Sequence, residues 1–331
     1  MSKLDIHIKE LKNEPFNDHK SSMLKLQLSG KDIHTKIVNA LRRVACNNIP
    51  IYAFPPELIT IEENTCVAFN NDYMKSRLCN LPIMQLNDLD NDLAFLHEQY
   101  WKNVNYADLK REKHQSEKNV TLYVNIKNTT NSILNVTTND AKIYIDEKEI
   151  EKPYNTNYPY LIIKLRPNDS FKCFMKAALG IGENKAYWNC SRNAYHEVFD
   201  DNIYSLTIAS NGQLKEYDIL IKACHFLNKK LEDIKNEMLR MLKTGELEKS
   251  NIIEFVLEGE THTIGELLNY EFQSHKDIHF SGVSKPDLMV NTMIIKVQGE
   301  HDTPSNAMLE CIDLLVKKFN YILKLLEKMK K

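Results

Sequence analysis

The stretch Asn39–Ile83, NALRRVACNNIPIYAFPPELITIEENTCVAFNNDYMKSRLCNLPI, decides the fold. Its first residues continue a helical pattern that begins near Lys31, with apolar residues at Ile33, Ile37, Ala40, Leu41 and Val44. That spacing gives a helix one apolar stripe to lay on a sheet. Pro50, Pro55 and Pro56 stop the helix and pass the chain into a strand over Leu58–Glu62, because proline supplies no amide donor to a continuing helix. Upstream the period is two, in Leu4, Ile6, Ile8 and again in Leu24, Leu26, Leu28, the mark of strands with one buried face. The unit is therefore α+β.

Downstream of this unit, a polar segment over 87–119 precedes strand-like runs at Val120–Ile126, Lys142–Ile145 and Tyr160–Leu165. An inserted, mainly β domain over 86–199 is expected, ending where Tyr204, Leu206 and Ile208 resume strand alternation. A long helix follows. Cys224, Leu227, Leu231, Ile234, Met238 and Met241 are spaced alternately three and four apart, a narrow heptad seam. Residues 243–251, with Gly245 and a charge cluster, read as a linker. Beyond it, over 252–331, the first plan returns: a strand (Ile253, Phe255, Leu257), a glycine, a helix (Ile264–Phe272), two strand-like runs and a last helix whose seam is Met308, Ile312, Leu315, Phe319, Ile322, Leu326 and Met329. Leu28, Gly30, His34, Thr35, Ile37 and Leu41 have counterparts in Leu257, Gly259, His262, Thr263, Ile264 and Leu268. The repeat predicts two related αβ units, one over 1–85 and 200–242 and one over 252–331, packed seam to seam. From periodicity alone the alternative stays open that each long helix simply covers its own sheet.

Composition narrows the function. A chain of 331 residues holds two or three domains. It is 43% hydrophobic with only 9 glycines and 10 prolines, as a folded protein is, and no run reaches the ~18 apolar residues of a membrane span. Met1–Glu10 lacks the apolar core of a signal peptide, so an intracellular site is expected. The 7 cysteines include no C-x-x-C pair, which argues against a zinc ribbon or disulfide frame. Lys plus Arg at 43 against Asp plus Glu at 45 leaves a net charge of -2, with no basic field for direct nucleic-acid binding. The run Lys317, Lys318, Lys324, Lys328, Lys330, Lys331 reads as the solvated side of a helix. His275 and His279 have the spacing of two ligands on a helix but lack the accompanying glutamate, and an exposed loop is expected there. His34 and His262, at the two helix starts, read as capping or turn residues. No phosphate-binding loop occurs, and Leu179-Gly180-Ile181-Gly182 reads as a turn. Glu62-Glu63 and Asp200-Asp201 do not form the compact Asp-x-Asp-x-Asp group that a catalytic magnesium centre would need. No catalytic residue, cofactor or metal is expected.

Several of these segments resemble one family. Asn39–Ile83 is similar to the signature of the D-type subunit, a member of the group that includes the α subunit of bacterial RNA polymerase, archaeal subunits D and L and the eukaryotic third and eleventh subunits. It carries the paired arginines, the proline, a strand ending in Glu-Glu-Asn-Thr and the Arg-Leu-x-x-Leu-Pro step. LRPNDSFKCFMKAALGIGENKAYWN (165–189) and NGQLKEYDILIKACHFLNKKLEDI (211–234) resemble the insert's end and the dimer helix. EFVLEGETHTIGELLNYEF and VNTMIIKVQGEHDTPSNAMLECIDLLVKKF resemble the smaller L-type partner.

The resemblance implies an intramolecular pseudo-dimer of two α-subunit-type dimerisation units, fused as in large DNA viruses. It implies a non-catalytic assembly platform that docks the two largest polymerase subunits, with a small polymerase subunit as a further partner and no homodimer needed. Docking is expected at Asn39, Arg42, Arg43, Glu62, Glu63, Asn64, Thr65 and Arg77, and in the second half at His262, Thr263, Glu266 and Asn269. Arg42 or Arg43 could instead pair internally with Glu62 or Glu63. The pseudo-dimer seam falls to Leu227, Leu231, Ile234, Met238 and Met241 against Ile312, Leu315, Phe319, Ile322 and Leu326. Many D-type inserts carry a metal-binding cysteine cluster, whereas here Cys173 and Cys190 stand apart. A viral source would put the protein in the host cytoplasm and in the virion. The alternative is a free-standing transcription adaptor using the same fold.

Overall fold

The structure, a computed structural model, describes residues 4–15, 22–84, 101, 104–106, 117–151, 154–244, 251–300 and 304–330. Its first sheet is antiparallel and is built from β1 (His7–Glu14), β2 (Met23–Ser29), β13 (Ile203–Ser210) and β12 (Ser191–Asp200), in the order β1-β2-β13-β12. In β2 the alternation of the sequence is literal, since Leu24, Leu26 and Leu28 are buried while Lys25 and Gln27 point away. Helix α1 (Thr35–Asn47) lays Ile37, Val38, Leu41 and Val44 onto this sheet, against β12 and β13. Gly30 makes the turn before it, at φ +127°, where a Cβ would lie 2.0 Å from the Asp5 carbonyl oxygen, so only glycine fits.

A second sheet runs β4 (Ile59–Asn64), β10 (Ser170–Lys176), β5 (Val120–Lys127), β7 (Lys142–Ile145) and β8 (Lys148–Ile150) in that order. Two short pairs stand beside it, β3 (Ile51–Ala53) with β11 (Ala178–Gly180) and β6 (Leu134–Thr137) with β9 (Leu161–Leu165). Helix α2 (Asn71–Leu78) packs on β4 and buries Met74 and Leu78.

Two strand pairings run across the borders expected for an inserted domain. The strand β4, expected in the first unit, pairs with β10, expected in the insert, and Ile59, Met74 and Leu78 share one apolar cluster with Val120, Leu122 and Phe171. Conversely β12, expected in the insert, pairs along its length with β13. An edge strand shows this weakly in sequence: with Tyr195, Val198 and Phe199 exposed, it lacks the alternation of a half-buried strand. The fragment around Gly180 likewise ends a short strand before the turn.

The C-terminal unit repeats the first in smaller form. Its sheet is β14 (Ile252–Glu258), β16 (Thr292–Gly299) and β15 (Ile278–Ser284), ordered β14-β16-β15. Gly259 turns the chain at φ +74° into α4 (His262–Gln273), as Gly30 does before α1. Two long helices, α3 (Glu216–Thr244) and α5 (Pro304–Met329), pack against each other. Among the described residues, one apolar cluster runs from Ile6 and Leu24 through α1 and α3 to Phe255, Phe272 and Leu326. Of the expected linker, residues 245–250 lie outside the described residues, as does most of the polar segment over 87–119.

Candidate functional site

Among the described residues, the two repeated units meet through a shared apolar cluster and a set of polar contacts. Leu227, Leu231, Ile234 and Met238 of α3 are buried in the same cluster as Ile312, Leu315, Phe319, Ile322 and Leu326 of α5, and Met241 is half-buried at its end. Asn228 reaches across to Asn320, Nδ2 to Oδ1 at 2.9 Å, and Lys235 pairs with Asp313 at 2.6 Å. Beside the helices α1 packs on α4, where Lys36 meets Glu266 at 2.9 Å. Lys230 of α3 pairs with Glu260 at 2.5 Å, both largely out of solvent.

The centre of the contact is a buried polar cluster. His34 of the first unit donates from Nε2 to Glu271 Oε1 at 2.9 Å, and Lys318 of α5 donates to the same oxygen at 2.5 Å. His34 also stacks on Tyr270, ring centroids 3.9 Å apart. Burial pushes the imidazole below its ordinary value more strongly than Glu271 pulls it up. Burial works against the Glu271 carboxylate, but the hydrogen bonds from His34 and Lys318 and the lysine charge together hold it below the usual range. A neutral imidazole that donates from Nε2 presents Nδ1 as a bare acceptor, and that atom is buried without a partner.

Two sequence expectations are corrected here. His34 occupies the cap position of α1 but makes no side-chain cap bond; its ring is spent across the interface. Lys318, expected on a solvated helix face, is 5% exposed, because α5 is covered on more sides than a two-helix seam requires. The signal was present: Cys311 and Lys318 lie seven residues apart, flanking the seam on one side. Likewise Glu271 continues the Ile264, Leu267, Leu268 stripe of α4, and an acid on an apolar stripe implies a buried partner.

The expected docking residues divide into three places. Asn39, Arg42 and Arg43 lie on α1, half-buried, with Arg42 Nε donating to Asn39 Oδ1 at 3.0 Å. Arg43 and Thr263 line one small cavity, of about 110 Å³, at the junction of α1, α3 and the start of α4. Glu62, Glu63, Asn64 and Thr65 are on or beside β4 in the second sheet. There Glu62 pairs with Lys172 at 2.6 Å, Glu63 accepts the Ser170 hydroxyl, Asn64 donates to Phe69 O at 2.8 Å, and Thr65 Oγ1 accepts from Ser170 N at 2.7 Å. Arg77 ends α2 and donates to Leu161 O at 3.1 Å. In the second half His262 is exposed, Glu266 is held by Lys36, and Asn269 accepts from Ser281 at 2.7 Å.

His275 follows α4 in a turn and His279 stands in β15, so the two do not share a helix face. Among the described residues no group of three potential ligands could hold a metal ion, and no helix is long and apolar enough to cross a membrane.

A strand-turn-helix plan thus stands at both ends of the chain, with the paired long helices between them. Residues 252–324 match the RNA polymerase Rpb3/Rpb11 dimerisation domain. The whole chain is 30% identical to a protein of Acanthamoeba polyphaga mimivirus named as a DNA directed RNA polymerase subunit, over 99% of this chain and 95% of the relative. A further 77-residue match, 29% identical, is to the DNA-directed RNA polymerase subunit Rpo11 of Sulfurisphaera tokodaii, covering 23% of this chain and 78% of that one. The chain belongs to the Rpb3/Rpb11-type family of DNA-directed RNA polymerase subunits, a class that is non-catalytic.

Proposed function

We propose that the chain is the assembly platform of its polymerase, a fused α-type heterodimer on whose two unequal flanks the two largest subunits dock, with a small polymerase subunit beside them. The observation that carries this reading is the apolar packing of α3 against α5 within one polypeptide. A pairing otherwise made between two chains is thus made inside one, at an effective concentration set by a short connection. The platform does not wait for a partner, and its asymmetry is permanent. The docking surface is assigned to Asn39, Arg42, Arg43 and Thr263 around the α1–α4 junction, with Glu62, Glu63 and Arg77 on the inserted region. We further infer that the first unit is discontinuous, split around that region.

The test is to purify the tagged chain from cells that make it, identify co-purifying proteins by mass spectrometry and assay the same fraction for nucleotide incorporation. Stoichiometric large polymerase subunits with RNA synthesis are the expected result. A lone chain, or an unrelated transcription factor without synthesis, would replace the platform by a free-standing adaptor.

A further inference from the structure

The long helices α3 and α5 run antiparallel, since Asn228 meets Asn320 and, seven residues further along α3, Lys235 meets Asp313, seven residues back along α5. Their buried seams match at one constant offset: Leu227 answers to Leu315, Leu231 to Phe319, Ile234 to Ile322 and Met238 to Leu326. Two of these four places carry the same residue, and the other two exchange one large apolar side chain for another. Burial of apolar surface has no directional preference. The seam by itself would therefore serve a pair of like units nearly as well as the unlike pair observed.

The polar contacts between the units are not interchangeable in this way. At the same offset, the place of Asp313 on α5 is held on α3 by His225, and the place of Lys235 is held on α5 by Leu323. Two first units would set Lys235 against an imidazole, and two second units would set Asp313 against a buried leucine. The place of Asn228 falls to Val316, which offers Asn320 no partner, whereas the place of Asn320 falls to Glu232, which would still accept from Asn228. The asparagines thus count only against a pair of second units. Deeper in the contact, His34 donates to Glu271 at 2.9 Å with both side chains buried. Glu271 stands three residues beyond Leu268, and the residue three beyond its counterpart Leu41 is Val44. A pair of first units would leave the His34 imidazole facing that valine, and a buried donor without an acceptor costs free energy that an apolar contact does not return.

We propose that these polar contacts, and not the apolar seam, determine which unit pairs with which. They admit the first unit with the second and exclude either unit from pairing with its like on a second copy of the chain. Partly exposed ion pairs are individually weak, but polar residues set into a helical seam and charges along its flanks choose partners chiefly by penalising the wrong ones. A chain whose two units each paired with their like would join its neighbours end to end into open assemblies; this one closes on itself. The inference deepens the reading of the chain as a fused heterodimer and rests on it, while it is independent of what docks on that platform.

The test uses the full chain with a protease site between Thr244 and Asn251, prepared in light and isotopically heavy forms. Both are cut, mixed and diluted in mild urea until pairs of one light and one heavy fragment appear, and native mass spectrometry then weighs every pair. In the parent, the exchanged pairs should join a first unit to a second, with like pairs below about a tenth of them. Lys235→Asp opposes Asp313 with a second carboxylate and offers His225 an acidic partner, so it should raise pairs of first units at least about fivefold. Adding Asp313→Lys restores an ion pair between unlike units and should return like pairs to the parent's level. Like pairs in the parent as abundant as chance gives, no rise with Lys235→Asp, or no recovery with Asp313→Lys would each overturn the proposal. Fragments that form no pairs at all would remove the fused-heterodimer reading and the proposal with it. No polymerase is needed, so failed co-purification of large subunits would overturn the platform and leave the sorting of the units standing.

Discussion

His34 shows how a single side chain acquires a role its position does not announce. It follows a β-turn-helix step that repeats at His262, yet His262 is exposed while His34 is 6% exposed and hydrogen-bonded to Glu271. The difference lies in what packs above each: Tyr270, Glu271 and Lys318 cover His34, with Lys36 nearby. The consequence is a pH dependence whose sign can be worked out. With its folded value held below the ordinary 6.5, the unfolded chain takes up the proton first as pH falls. Stability is therefore full above about pH 6.5 and declines as the pH drops toward the folded value. Glu271, held below its ordinary 4.5, adds a further loss of the same sign at lower pH. His34→Gln keeps a donor toward Glu271 but cannot titrate. Urea unfolding from neutral to mildly acidic pH should show a steeper loss in the parent than in this variant. Burial lowers His196 and His225 as well, so the difference between the two slopes is the diagnostic quantity; equal slopes would remove His34 from the account.

At the scale of elements, α3 and α5 owe their pairing to heptad spacing, and their register to polar contacts set into it. Leu315 and Phe319 are fully buried, while Asn228 with Asn320 and Lys235 with Asp313 fix which turn faces which. Phe319→Ala should cost about 3–5 kcal/mol, the transfer energy of the ring plus the cavity it leaves. It should appear as a lower urea midpoint with an unchanged slope. The spacing itself was plain in the sequence over both helices. The partners of β4 and β12 were less so: β4 carries the polar run Glu62, Glu63, Asn64 and β12 exposes most of its residues. A strand whose partner lies more than a hundred residues away, as β4 pairs with β10, leaves no local trace of that partner.

For the whole molecule, the shared cluster predicts that the two units hold together without their covalent connection. A protease site placed between Thr244 and Asn251, once cut, should leave both fragments co-eluting in gel filtration and separating only at high dilution or in denaturant. Immediate separation would show the linker, not the interface, to be what keeps them paired. The sequence by itself determined the periodicities, and with them the strands, the helices, the glycine turns and the repeat of one αβ plan at both ends of the chain. It did so because alternation and heptad spacing are local consequences of burying one face of a strand or helix. The tertiary structure alone decided which strands share a sheet, that His34, Glu271 and Lys318 meet in one buried cluster, and that Asn228 faces Asn320 while Lys235 faces Asp313. Those are encounters between residues far apart in the chain, and their energies depend on burial and distance, quantities that exist only once the chain has closed on itself.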